Sequence, residues 1–170
     1  MIYDSQLLLN PSILAGAQIL VVDNDDDSRC ICKTLFETCG AQVTTLESIA
    51  DAVTLLDYLV PDILICEIRF FNEDFLPLIQ KAKNIILGQK EAIPILMVSA
   101  FCAASFSHDL LAMAEGHLLK PIDIGDLVDE VQNLVRPTQV LQTVNSQDRV
   151  VKPRAWKKSH AAATAHLAAC

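Results

Sequence analysis

Polar side chains suited to metal and phosphate chemistry follow directly on four short apolar runs of this sequence. An aspartate-rich segment, 23–27, follows the first run, Glu67 the second, Ser99 the third and Lys120 the fourth. Carboxylate oxygens are the ligands that magnesium prefers in proteins. A serine hydroxyl and a lysine ammonium can hydrogen-bond the oxygens of a phosphoryl group. If these residues meet in the folded chain, they predict a site for a divalent cation and a phosphoryl group.

The elements that would position these side chains are five strands that alternate with five helices. Continuous or nearly continuous apolar runs predict strands, of which the second is more polar and belongs at a sheet edge. These runs are 19–22, 43–46, 63–66, 95–98 and 118–119. Helical spacing of apolar residues lies between them, with helix starts at Ser48 and Asp123 and a short helix near 108–114. The pattern is typical of an α/β fold, a doubly wound five-stranded parallel sheet with five helices in a single domain.

The strand ends decide whether the polar residues can act together. In an open parallel sheet the carboxyl ends of the strands lie at one edge, and ligands bind there. We therefore expect the segment 23–27, Glu67, Ser99 and Lys120 to converge at that edge. Taken alone, the aspartate run would be equally typical of a solvated helix start, where negative charge is favoured.

Charge divides the chain into an acidic body and a basic tail. The 170 residues are 52% apolar and carry a net charge of −8. Residues 1–136 contain 20 acidic and 8 basic side chains, whereas residues 137–170 contain 1 acidic and 5 basic ones. This asymmetry predicts an extension over 1–17, a folded domain over 18–136 and a basic, alanine-rich, flexible tail over 137–170. The acidic body argues against nucleic acid as the partner.

The remaining composition predicts a cytoplasmic protein. No apolar stretch is long enough to span a bilayer, and the first residues lack the positive charge of a secretory signal. The six cysteines lie mostly inside apolar runs, without the paired spacing of a metal site. They are interpreted as reduced thiols that pack as small hydrophobic residues.

Four motifs in this order resemble the receiver domains of two-component response regulators and hybrid histidine kinases. They are 19–25 (ILVVDND), 61–68 (PDILICEI), 93–100 (IPILMVSA) and 117–121 (HLLKP). The resemblance covers residues 18–136 and implies the flavodoxin-like form of the predicted fold. In this family, an aspartate after the third strand binds magnesium and accepts a phosphoryl group from a histidine kinase. A Ser or Thr and a Lys then contact the phosphoryl oxygens and drive a conformational switch.

The resemblance assigns a role to each polar residue at the strand ends. Glu67 stands at the phospho-acceptor position. The positions of the magnesium site are Asp23, Asn24, Asp25, Glu67 and the backbone carbonyl of Arg69. Ser99 and Lys120 match the phosphoryl contacts, and His117 stands where the family carries its aromatic switch residue.

Two departures from the family pattern oppose phosphoryl transfer. Glu67 replaces the acceptor aspartate, and its extra methylene moves the carboxylate by up to ~1.5 Å. A displacement of about 1 Å can slow a positioned reaction on the order of 100-fold. Asn24 replaces an acidic residue and removes one negative charge from the magnesium site. Phe71 and Phe75 also occupy loop positions where the family commonly has Pro and Gly.

The sequence therefore predicts a stand-alone pseudo-receiver that is not an enzyme. It would act through protein–protein interaction with a histidine kinase or another signalling protein, and it would bind magnesium weakly. Dimerisation stays open. One alternative is a working receiver that uses Glu67 as phospho-acceptor. Others are a metal-dependent phosphohydrolase, disfavoured by Arg69 where a second carboxylate would stand, and a ligand sensor that uses Cys66 or the histidines.

Overall fold

The predicted parallel sheet is present in a computed structural model, which describes residues 11–70, 72–85, 92–100 and 112–140, with side chains up to residue 135. The five strands are β1 (Gln18–Val22), β2 (Gln42–Leu46), β3 (Ile63–Glu67), β4 (Ile95–Ser99) and β5 (Gly116–Leu119). All pair in parallel, in the order β2-β1-β3-β4-β5. This is the flavodoxin-like order, and it confirms both the fold class and the edge position of the more polar strand.

Helices cover both faces of the sheet. Those within the described residues are α1 (Asp26–Thr38), α2 (Ile49–Leu55), α3 (Leu76–Asn84) and α4 (Ile124–Val140). Most of the helix predicted near 108–114 lies outside the described residues, as does Phe71. The last helix continues to Val140, beyond position 136, at which the composition changes. The division of the chain into three segments stays a prediction.

Two hydrophobic clusters fill the space between the sheet and the helices. Successive residues of a strand point to opposite faces, so Val21 and Ile65 pack beneath α1 and α4. Leu20 and Cys66 pack on the other face, beneath α2 and α3. All five residues of β3 and all five of β4 are buried. Burial on both faces explains why these strands are continuous apolar runs.

Helix α2 ends earlier than its apolar pattern predicts. The pattern continues to Val60, but the helix ends at Leu55. The N–H groups of Asp57 and Tyr58 donate to carbonyls three residues earlier, at 3.1 and 2.9 Å, which tightens the chain into a turn. Pro61 disfavours helical geometry in the residue before it, so the chain leaves the helix ahead of the proline.

The residues before β1 contribute to the first hydrophobic cluster. Leu14 is 2% exposed, and its N–H donates to the carbonyl of Cys39 at 3.0 Å. Gly40 lets the residues before β1 lie close to the end of α1. Its φ is +90°, and a Cβ at this position would stand 2.3 Å from the carbonyl oxygen of Pro11.

No helix in the described ranges combines the length and the apolar character that crossing a bilayer requires.

Replacement of Leu14 tests whether the residues before β1 belong to the folding unit. Leu14→Ala removes a buried side chain and should lower the free energy of unfolding by about 2–4 kcal/mol. The half-buried neighbour Ile13 is the matched control, and Ile13→Ala should cost clearly less. Urea denaturation of both variants measures the difference. Equal midpoints for Leu14→Ala and the unmodified chain would show that this segment is dispensable.

Candidate functional site

The ends of three strands meet at one ammonium group, that of Lys120. Asp23 directly follows β1, Glu67 ends β3, and Lys120 directly follows β5. The Lys120 Nζ lies 2.8 Å from Asp23 Oδ2 and 3.0 Å from Glu67 Oε2. The structure thus brings together side chains that are 44 and 53 positions apart in the sequence.

Burial strengthens the interaction of these three charges. The side chains of Asp23 and Glu67 are 7% and 6% exposed, and that of Lys120 is 25% exposed. Burial by itself lowers the pKa of Lys120. Its hydrogen bonds and charge pairing with Asp23 and Glu67 outweigh that effect and hold this pKa above its ordinary value. The ammonium therefore stays charged and compensates two carboxylates that water hardly reaches.

The Glu67 carboxylate is held at both oxygens. Its Oε2 pairs with Lys120, while its Oε1 accepts hydrogen bonds from the backbone N–H groups of Ile68 at 2.8 Å and Arg69 at 3.1 Å. The longer side chain thus folds back toward the loop that follows β3. Three donors fix the position of one carboxylate.

Asp25 has a structural role at the start of α1. It is the N-cap of the helix, and its Oδ2 accepts hydrogen bonds from the Ser28 N–H at 2.9 Å and the Ser28 hydroxyl at 2.6 Å. These bonds, that from the hydroxyl foremost, lower the pKa of Asp25 below its ordinary value. The Asp25 N–H donates in turn to Asp23 Oδ1 at 2.9 Å.

The residues assigned to a metal site form hydrogen bonds and ion pairs with protein groups at the same edge. The Asn24 Nδ2 donates to the carbonyl of Arg69 at 3.3 Å, so that carbonyl already has a partner. Asp23 and Glu67 share the Lys120 ammonium. Among the residues that the structure describes, no three His, Cys, Asp or Glu side chains are grouped to hold a metal ion. The arrangement therefore does not fit a preformed magnesium site, and a lysine charge takes the position between the carboxylates.

The other two predicted residues lie on the next two strands of the sheet, β4 and β5. Ser99 ends β4 and is completely buried, and its carbonyl accepts the Lys120 N–H at 2.7 Å. His117 lies on β5, in register with Met97. Burial lowers the pKa of His117 below its ordinary value, although the charge of Glu67 acts in the opposite direction. Ser99 thus lies at the same strand edge as Lys120, whereas His117 lies two residues before the end of β5.

Sequence analysis missed two residues of this edge, Ser28 and Arg29. Lys120 Nζ donates to Ser28 Oγ at 3.3 Å. The Arg29 Nη1 donates to the backbone carbonyl of Asp23 at 2.7 Å, and the guanidinium also pairs with Asp26. For Ser28, the sequence did contain a signal: Asp25, a residue type that favours the N-cap position, stands three residues before it. The apolar-to-polar pattern of α1 carries no comparable signal for Arg29.

An apolar crevice of about 220 Å³ opens beside Lys120, between α1 and α4. Its polar end contains Asp23, Ser28, Glu67 and Lys120. Its remaining lining is Val21, Val22, Ile31, Cys32, Ile65, Val98, Pro121, Ile122 and Leu127. The charged site is therefore continuous with a space that can receive an apolar group.

Comparisons with known proteins agree with this geometry. The family model of the response regulator receiver domain matches residues 19–132. Regulator of RpoS from Escherichia coli (strain K12) is 28% identical over 141 residues, which are 82% of this chain and 41% of that protein. The chain therefore spans about two fifths of the length of this curated relative.

Solved structures share the fold. The receiver domain of the Francisella response regulator 1452 superposes with a TM-score of 0.62 at 22% identity, covering 72% of this chain and 99% of that one. The receiver domain of the sensor histidine kinase PA1611 from Pseudomonas aeruginosa PAO1 gives a TM-score of 0.59 at 20% identity, covering 72% and 99%. That receiver holds a magnesium ion in its active-site cleft. With the family model matched over most of the described sheet and helices, this chain belongs to the response regulator receiver domain family.

Proposed function

We propose that this receiver domain is a pseudo-receiver, which binds a signalling protein without first accepting a phosphoryl group. The observation that carries the proposal is the 3.0 Å contact between Glu67 and Lys120. In a phosphorylated receiver, the phosphoryl group fills the gap between a short acceptor carboxylate and the lysine. Here the extra methylene of Glu67 lets the carboxylate itself make that contact.

The contact supports a bias toward the active arrangement, and it imitates a phosphoryl group only in part. One carboxylate carries a charge of −1, whereas a phosphoryl group carries close to −2 at neutral pH. A tethered group shifts a two-state equilibrium only by its differential affinity for the two states. Glu67 therefore acts as a tethered ligand of modest strength, and partner binding would be constitutive rather than fully switched on.

The surroundings of Glu67 also disfavour phosphoryl acceptance. Lys120 lies between Asp23 and Glu67, so a divalent cation must compete with an ammonium that is already in place. The neutral Asn24 adds no charge to attract the cation, and its amide occupies the Arg69 carbonyl. We infer that magnesium binds weakly, in contrast to the solved receiver that holds this ion in its cleft.

The partner class follows from the same site. A receiver-type surface is recognised by other proteins of two-component signalling, and we propose a histidine kinase or another signalling protein as the partner. Cys66 is completely buried, and burial raises its pKa. This removes it as a sensing thiol. Two residues after Glu67, Arg69 offers no second carboxylate for a phosphohydrolase mechanism.

Phosphoryl acceptance tests the proposal directly. The 170-residue chain with magnesium and radiolabelled acetyl phosphate should incorporate no label, and beryllofluoride should leave its amide NMR spectrum unchanged. The double variant Glu67→Asp/Asn24→Asp restores both family residues and should gain both responses. The matched control is Glu37→Asp combined with Asn24→Asp, which makes the same methylene deletion at an exposed site on α1. Stoichiometric labelling of the unmodified chain that disappears in Glu67→Ala would instead establish Glu67 as a working acceptor.

Restoring the second acid should tighten magnesium binding. Asn24→Asp adds one negative charge and removes the amide donor from the Arg69 carbonyl. A unit charge near a divalent cation is worth more than about 1.4 kcal/mol at an effective dielectric constant near 20, so the affinity should rise at least about tenfold. Isothermal titration with MgCl₂ measures the change. Equal affinities for both forms would remove Asn24 from the proposed site.

Removal of Lys120 should leave two buried carboxylates without a cation. Lys120→Met is expected to lower the free energy of unfolding at pH 7 by about 3 kcal/mol. The pKa of Lys120 is raised above its ordinary 10.5 in the folded state. Its contribution is therefore complete below about pH 10.5 and is lost as the pH rises through the folded pKa.

Denaturation of Lys120→Met and the unmodified chain between pH 7 and 11.5 measures this loss. The difference between them should be constant up to about pH 10.5 and shrink above it. Lys33→Met, at an exposed position of α1, is the control and should change little at any pH. A difference that stays constant to pH 11.5 would show that the ammonium charge is not what stabilises the site.

A further inference from the structure

The crevice between α1 and α4 has the size and lining of a receptor for one aromatic ring. Its floor consists of sheet residues, and its walls are Ile31 and Cys32 of α1 and Ile122 and Leu127 at the start of α4. A cavity of about 150 Å³ already accommodates benzene, so the 220 Å³ of this crevice suffices for an indole. Ile31, at its mouth, is 56% exposed. A large apolar side chain thus lies in water beside an apolar space.

Exposed aspartates lie at the starts of the two helices that form the walls of the crevice, where one of them, Asp26, also pairs with Arg29. Asp26 and Asp27 lie in the first turn of α1, and Asp126 lies in the first turn of α4. Asp123 caps α4, accepting the Gly125 N–H at 2.8 Å. All four residues are exposed. Asp27 stands one helical turn before Ile31 and therefore on the same side of α1. The mouth is suited to an apolar ring flanked by positive charges.

The chain itself contains such a segment. Trp156 is its only tryptophan, and it stands among Lys152, Arg154, Lys157 and Lys158, with no acidic residue between 149 and 170. This segment follows α4, which is the helix that forms one wall of the crevice. The charge of the segment is opposite to that of the aspartates at the two helix starts.

The length of the connection matches the distance to be covered. From Leu127 at the crevice to Val140 at the end of α4, the helix rises about 20 Å. The 16 residues from Val140 to Trp156 have an r.m.s. span of about 22 Å for a chain with coil statistics. A connection whose r.m.s. length matches the span gives the highest effective concentration, in the millimolar range for short connections. Even weak docking would then be populated.

We propose that the basic segment 152–158 binds its own domain and places the Trp156 indole in the crevice between α1 and α4. The lysines and arginine would lie against the aspartates at the two helix starts. In that position the segment would compete with any other apolar group that enters the same crevice.

The single tryptophan makes the proposal measurable in the full chain. We expect its fluorescence emission at shorter wavelength than that of N-acetyltryptophanamide, with acrylamide quenching reduced several-fold. Ile31→Asp, which adds a charge at the apolar mouth, should reverse both effects. Tyr58→Asp is the matched control, since Tyr58 is 86% exposed at the end of α2, on the opposite face. Its emission should equal that of the unmodified chain.

Charge reversal provides a second, independent variant. Asp27→Lys should raise the quenching of Trp156, whereas Asp51→Lys, in the first turn of α2, should not. Sodium chloride at 1 M, where the Debye length is about 3 Å, should also raise it. Water-like emission in the unmodified chain would overturn the proposal, as would equal effects of Ile31→Asp and Tyr58→Asp. Protection that disappears on dilution would assign the bound tail to a second copy and overturn docking within one chain.

Discussion

The ion pairs of Lys120 with Asp23 and Glu67 are the interaction on which the receiver edge depends. They connect the ends of β1 and β3 with the segment after β5. Two carboxylates with little access to water repel each other unless a cation lies between them. The lysine therefore supplies the positive charge that offsets two buried carboxylates at strand ends that the sheet already holds close together.

Hydrogen bonds from α1 fix the loop between β1 and α1, which carries Asp23. Arg29 reaches from α1 back to the carbonyl of Asp23, and Asp25 caps the helix through Ser28. The position of Asp23 is thus determined from its own backbone and from the following helix. Lys120 in turn contacts Ser28, so the ammonium and the helix start belong to one hydrogen-bonded group.

The sequence predicted the sheet and the edge at which the polar residues lie, because both follow from local patterns. Runs buried on two faces are continuous and apolar, and parallel strands bring their carboxyl ends together. It did not reach Arg29 or the burial of Leu14, because these depend on which loop a helix faces in three dimensions. The early end of α2 was missed for a related reason: the apolar spacing continues to Val60, through a turn that apolar spacing alone does not distinguish from a helix. The side-chain length that lets Glu67 reach Lys120 can be read from the sequence, whereas the hydrogen bonds of Glu67 to Ile68 and Arg69 required the loop geometry.

The use of Asp25 as a helix cap links two properties that are separate in the sequence. The Ser28 N–H and hydroxyl both donate to one oxygen of this carboxylate, Oδ2. A cation bound through that same oxygen would compete with Ser28 and loosen the cap on the first turn of α1. Linkage would make such an effect reciprocal, so that a firmer first turn of α1 would weaken the binding of a cation through Oδ2.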